Sequence, residues 1–235
     1  MANPQADDAV LTAIGERALE FVRDGCIVGL GTGRAAAAFV RALGRQVQHG
    51  LRVTAVPTSE STAAAARDLG IQMVTLDETE QIDVTVDGAD EVDPHLDLIK
   101  GYGGALVREK IVAAASKLEV ILVGSEKLVA VLGQRGKLPV EVLSFAAGFC
   151  ASRLAALGCR PQLRRDGDRP FVSDGGNYIL DCGVDPITEP GKLEDSIRSI
   201  PGVVGTGLFL GMAQVVLVGN KDGTVRELRK QGEAA

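Results

Sequence analysis

The apolar run Ile82-Asp83-Val84-Thr85-Val86 opens into Asp87-Gly88-Ala89-Asp90-Glu91-Val92-Asp93. Carboxylates this dense repel one another unless they are solvated, paired or put to use. Asp87 and Asp90 bracket Gly88-Ala89, so a tight bend points both at one pocket. A solvated turn and a magnesium site, with oxygen ligands for a hard cation, are the alternatives for this segment. Further on, Lys100-Gly101-Tyr102-Gly103-Gly104 runs into the helix-forming stretch that begins at Ala105. Glycines there let a ligand approach the backbone, and Lys100 brings a positive charge to an anionic oxygen. Glu109 falls early in that helix, close enough in sequence to face the same loop. Alone it reads as a surface glutamate with Arg108 and Lys110 as neighbours.

A second glycine turn, Gly29-Leu30-Gly31-Thr32-Gly33, follows an apolar run and precedes a helical stretch. Amide N–H groups at such a helix start suit a phosphate or sugar oxygen, although a tight turn without a ligand needs the same glycines. A dinucleotide is disfavoured. Arg34 stands at the third glycine of that fingerprint, and no Asp or Glu lies between Asp24 and Glu60 to hold a ribose. In Pro57-Thr58-Ser59-Glu60-Ser61-Thr62 the hydroxyls either cap a helix, Ser59 and Thr62 having the spacing for it, or line a ligand site at a strand end. Cys26, Cys150, Cys159 and Cys182 are scattered, with no C-x-x-C pair, and His49 and His95 stand alone, which argues against zinc, a redox disulfide and a catalytic histidine.

These segments need a scaffold, and 235 residues allow one large α/β domain or a main domain with a smaller companion. Hydrophobic residues at 46% and charged residues at 24% describe a globular chain in which only the two ends look loose. A net charge of -6 offers no basic field for nucleic acid, so an anionic ligand needs a local site. The amino-terminal stretch has no signal-like pattern and no segment is long enough to span a membrane, which places the chain in the cytoplasm. Apolar spacing predicts a helix over 9–22 and strands at 26–30, 51–56, 71–76, 82–86 and 119–123, separated by helices at 35–43, 60–69 and 104–117. Alternation of this kind specifies an α/β fold: a Rossmann-like, mostly parallel sheet covered by helices. Beyond about residue 130 the pattern changes. Pro139 precedes a helix at 144–157, then come a strand at 159–163, a polar turn at 164–169, two short strand-like runs around Ser173-Asp174-Gly175-Gly176 and a helix near 192–199. Such a run suggests a small inserted α+β, ferredoxin-like subdomain over 131–205, the chain returning at 213–218 to complete a catalytic domain of 1–130 with 206–235.

In chain order, GLGTG (29–33), TSE (58–60), DGADEVD (87–93), KGYGGALVREK (100–110), SEK (125–127), LPVEV (138–142) and GNYILD (176–181) resemble successive motifs of the ribose-5-phosphate isomerase A family. The DGADE and KG-x-G-x-AL-x-REK pair carries most of the specificity. The resemblance implies aldose–ketose isomerisation of ribose 5-phosphate through a cis-enediolate, without cofactor or metal. It makes Glu109 the catalytic base, with Asp87, Asp90 and Lys100 as the other catalytic groups. Substrate contacts are implied for Thr32, Gly33, Arg34, Ala35, Asp87, Gly88, Ala89, Asp90, Lys100, Gly101, Tyr102, Gly103 and Lys127. Two positions depart from the family pattern: Arg34 replaces a small hydroxyl residue, and Thr12 stands where some members carry a lysine. The implied partners are a sugar phosphate and a second copy of the chain, as a homodimer or a dimer of dimers, with no nucleic acid and no membrane. A sugar-phosphate sensor would bring a DNA-binding module, and none is evident. An amino-sugar phosphate deaminase or a CoA transferase on a similar sheet fits the Asp87, Asp90, Lys100 and Glu109 set less well.

Overall fold

The computed structural model describes residues 4–230, and the ends expected to be loose fall partly outside them. The chain forms two compact units. The first takes residues up to 89, residues 109–127 and residues from 212 onward. Its seven-stranded sheet runs, edge to edge, Gln72–Met73, Thr54–Pro57, Ile27–Leu30, Val84–Gly88, Glu119–Gly124, Val215–Gly219 and Val225–Arg229. Neighbours are parallel except at the last edge, where Val225–Arg229 returns antiparallel along Val215–Gly219. The order reverses between Ile27–Leu30 and Val84–Gly88, so the crevice where open α/β sheets take ligands lies at the carboxyl ends of these two strands, at Gly31-Thr32-Gly33 and Asp87-Gly88.

Burial explains why the parallel strands read as unbroken apolar runs: Val120, Leu122, Val215 and Leu217 are enclosed, as are their neighbours. Ile14 from helix Pro4–Arg17 and Phe39 and Leu43 from helix Arg34–Gln48 pack onto Val28, Leu30, Val86, Leu122 and Leu217. At the opposite end of the sheet, Asp83 accepts from the Ile27 amide at 2.9 Å and from Lys117 Nζ at 2.8 Å, which holds its carboxyl below the usual carboxylate range, the lysine contributing most. A carboxyl lowered in the folded state stabilises the fold above its unfolded pKa and loses that contribution as pH falls through the folded value. Denaturant melts should therefore find Asp83→Asn less stable than the parent at pH 7 and the difference shrinking toward pH ~3. An equal difference at both pH values would refute this.

The second unit comprises residues 90–108 and 128–211. Its four-stranded antiparallel sheet has the order Val203–Thr206, Lys137–Val142, Tyr178–Gly183 and Arg160–Leu163. With helices Ala147–Ala156 and Pro190–Arg198 the chain path is strand, helix, strand, strand, helix, strand, the ferredoxin-like arrangement. Residues 90–108 belong here because Leu98–Ile99 pairs with both Glu91–Val92 and Leu208–Phe209. The boundary thus runs differently from the sequence division at 131 and 206.

One local reading changes and two gain detail. Pro139, expected only to precede a helix, lies inside the inner strand Lys137–Val142. Its carbonyl accepts the Gly207 amide at 2.8 Å, so its ring nitrogen faces the side where Val203–Thr206 has already ended, and no ladder bond is lost. Ser173-Asp174-Gly175-Gly176 is itself a turn, closed by the Gly176 amide on the Ser173 carbonyl at 2.8 Å. Val225–Arg229 is a strand whose charged residues suit an exposed edge. Among the described residues no helix is long and apolar enough to cross a membrane.

Candidate active site

In the first unit, Asp87 is the penultimate residue of strand Val84–Gly88 and is 1% exposed, so the solvated-turn reading fails for this residue. Its Oδ1 accepts amide hydrogens from Thr32 at 3.1 Å and Gly88 at 2.7 Å, binding the acidic loop to the glycine turn. Gly31 makes this approach possible: a Cβ there would sit 2.1 Å from Asp87 Oδ1 and 2.5 Å from Asp87 Cα. A hydroxyl cluster braces the same turn. Thr32 Oγ1 lies 2.7 Å from Thr58 Oγ1 and donates to Ser59 Oγ at 2.8 Å. Thr58 and Thr62 donate to the carbonyls of Leu30 and Gly31, each at 3.0 Å. Ser59 also caps helix Glu60–Asp68 by accepting the Thr62 amide, as the capping reading of this segment expects.

Gly33, at φ 107°, occupies the cap position of helix Arg34–Gln48 and offers no side chain to its first amides. The helix start at Ala35 therefore presents N–H groups and the positive end of the helix dipole. Arg34 is exposed and pairs with Asp8 at 3.1 Å. Gly88 and Ala89 are half-buried in the loop after Asp87, and the half-buried Lys127 closes the short turn Ser125–Lys127 beyond strand Glu119–Gly124. Glu109, in the first turn of helix Leu106–Ala114, is 4% exposed. It is no surface glutamate, despite its charged sequence neighbours.

In the second unit, the Asp90 amide donates to Ile99 O at 2.8 Å and its Oδ2 accepts the Tyr102 amide at 2.9 Å. Lys100 is 2% exposed; its amide is fixed on Gly207 O at 2.9 Å and its Nζ lies 5.3 Å from the Phe209 ring centroid. Gly101, at φ 101°, turns the chain away from Lys100, and Gly103 is exposed. The Tyr102 hydroxyl donates to Lys137 O at 3.2 Å, and Lys137 Nζ sits 4.3 Å over its ring. Burial, then the charges of Asp90 and Glu91, push the Tyr102 pKa up, so this phenol stays a donor. Tyr102 thus brings its backbone, not its ring, to the glycine loop.

Other buried carboxylates have structural work. Glu91 accepts the amides of Gly133 and Arg135 at 2.6 and 2.7 Å, and Glu141 accepts from Ser173 and Asn177 at 2.7 and 3.0 Å. Among the described residues no group of three His, Cys, Asp or Glu side chains is placed to hold a metal ion. Sequence reasoning singled out the hydroxyls of residues 58–62 but not their bracing of the Gly31-Thr32 turn, and it missed the contacts of Arg164 on the glycine loop; both join residues far apart in the chain.

Residues 54–223 match the family model described as ribose 5-phosphate isomerase A, or phosphoriboisomerase A. Ribose-5-phosphate isomerase A of Roseiflexus castenholzii is 51% identical over 213 residues, covering 89% of this chain and 91% of that protein. Among solved structures, the ribose 5-phosphate isomerase of Plasmodium falciparum superposes with a TM-score of 0.92 at 36% identity, over 96% of this chain and 100% of that one. A D-ribose-5-phosphate isomerase in complex with phospho-erythronic acid gives 0.90 at 37% identity, over 94% and 97%. Similarity of this extent, over both the parallel sheet and the inserted antiparallel one, shows that the chain belongs to the ribose-5-phosphate isomerase A family.

Proposed function

We propose that this chain interconverts D-ribose 5-phosphate and D-ribulose 5-phosphate, with Glu109 as the base that moves the proton. The observation that carries the assignment is the burial of Asp87, near the end of its strand, of Lys100, at the start of the glycine loop, and of Glu109, in the first turn of the next helix, to 1%, 2% and 4% exposure. Charged groups are costly to bury, and chains keep them so where they are used. Glu109 removes the C2 proton of the open-chain aldose and returns it to C1 on the same face. Negative charge then develops on oxygen, and Lys100 with the loop amides at Gly101 and Gly103 stabilises the cis-enediolate. Transfer of the hydroxyl proton from O2 to O1, and opening of the sugar ring, fall to Asp87 and Asp90. Thr32, Gly33, Arg34 and Ala35 at the helix start, Gly88 and Ala89, the Tyr102 backbone and Lys127 make the remaining substrate contacts.

An assay coupled to ribulose 5-phosphate formation tests the assignment, turnover of ribose 5-phosphate being expected. Turnover is also expected to survive exhaustive treatment with a chelator, since Lys100 and main-chain dipoles carry the developing charge. Activity abolished by chelator and restored by magnesium would instead make the acidic loop a metal site. The same reading takes the enzyme as cytoplasmic and as a homodimer or dimer of dimers. Support for association comes from Leu143, Phe145 and Phe149, large apolar side chains left exposed in the second unit.

A further inference from the structure

Arg164 directly follows strand Arg160–Leu163, where the sequence predicts only the first residue of a polar turn. Its backbone is pinned on both sides: the amide donates to Ile179 O at 2.8 Å, and the carbonyl accepts the Phe171 amide at 2.9 Å. The side chain is 11% exposed. Nε and Nη2 donate to the two carboxylate oxygens of Asp181 at 3.0 and 2.5 Å, while Nη1 donates to Gly101 O at 3.1 Å and Tyr102 O at 3.2 Å. Four of its N–H directions are thus committed, two to a carboxylate and two to successive carbonyls of the glycine loop. A guanidinium is the one side chain rigid enough to hold such a set. Lys137 Nζ lies 3.5 Å from Asp181, keeping that carboxylate compensated.

The consequence follows from the planarity of the trans peptide, in which C=O and N–H point opposite ways. The Gly101–Tyr102 peptide is held at both ends, its carbonyl by Arg164 and its N–H by Asp90 Oδ2. In the next peptide the Tyr102 carbonyl is drawn to Arg164, which turns the Gly103 N–H away from the guanidinium, out of the exposed side of the loop. Phe171 closes the arrangement: its Cζ would lie 2.5 Å from a Cβ at Gly104, and its ring centroid is 5.6 Å from the Arg164 guanidinium carbon.

We propose that Arg164, braced by Asp181, is a positioning residue of the isomerase, fixing the peptide planes after Lys100 so that the Gly103 N–H is preset toward the substrate oxygen. The role of the amide rests on the isomerase reading above; the clamp on the loop does not. Preset donors act through the developing charge more than through substrate affinity, so their loss appears in kcat.

The test uses Arg164→Lys, which keeps a cation beside Asp181 but cannot bridge two carbonyls, together with Arg164→Met. Both are assayed for kcat and KM with ribose 5-phosphate, and the full-length proteins are followed by amide hydrogen exchange. Expected are a fall in kcat of about 10–100-fold with KM changed less than about 3-fold, the scale of a displaced or lost donor. Exchange should quicken at least about 10-fold in residues 101–104, with strands Lys137–Val142 and Tyr178–Gly183 as protected as in the parent. Arg164→Lys decides the matter if Arg164→Met fails to fold. Unchanged exchange in the loop overturns the clamp whatever the enzyme proves to catalyse. Quickened exchange with unchanged kcat, or with losses in KM alone, overturns the positioning role. Activity that survives Glu109→Gln would remove the base assignment while leaving these readouts intact.

Discussion

Replacing Glu109 by Gln lowers turnover by on the order of 10²–10⁴ and leaves the fold intact, the range expected when one positioned acid–base group is lost. Glutamine has nearly the same shape, so the pocket is still filled, but its amide cannot take a proton from carbon at neutral pH. Burial sharpens the expectation, because at 4% exposure little bulk water reaches the position to act as a substitute base. Two measurements check it: kcat in the coupled assay, and uptake of solvent deuterium at the substrate carbons in D2O. The variant should be deficient in both, with a melting temperature close to the parent's. Near-normal turnover would take Glu109 out of the role.

Gly31→Ala should damage both stability and activity. Its methyl group would overlap not a flexible side chain end but Asp87 itself, at 2.5 Å from Cα and 2.1 Å from Oδ1. Because backbone has to move, the cost falls at the upper end of overpacking, about 3 kcal/mol or more. The movement also breaks the contact of Asp87 with the Thr32 amide, displacing the acidic loop relative to the glycine turn. Gly148→Ala is the control: nothing lies within 4 Å of a Cβ there, and helix Ala147–Ala156 should gain about 0.5–1 kcal/mol. Chemical denaturation of the two variants side by side decides between a steric requirement at Gly31 and a general intolerance of alanine for glycine.

The parallel sheet was legible in the sequence because strands buried on both faces must be apolar runs, and glycines or hydroxyls mark their carboxyl ends. Asp87 and Lys100 stood out for a related reason, charge beside glycine at a strand end or ahead of a helix, whereas Glu109, between Arg108 and Lys110, stood out only through the resemblance of the whole KGYGGALVREK run. Other features are less visible. Strand Lys137–Val142 contains a proline, tolerated only because its neighbour strand stops one residue short, a fact about a partner more than 60 positions away. Strand Val225–Arg229 mixes charged with half-buried residues and resembles a solvated tail until its partner Val215–Gly219 is known. Nothing local distinguishes Arg164 from Arg165, although one is half-buried with its guanidinium on the glycine loop and the other is exposed; the distinction belongs to the strand register set by Tyr178–Gly183.

The first unit is assembled from three separate stretches of chain, and its strand Val215–Gly219, enclosed along its whole length, is made only after the whole of the inserted unit. A ribosome that has delivered the chain up to Gly211 has made Glu119–Gly124 as an apolar strand with no partner on one side. During translation the nascent chain therefore passes through an interval in which the ferredoxin-like insert can close on itself while the larger sheet remains unfinished. Truncation before Val215 should yield insoluble product, and chaperone dependence should concentrate in that interval.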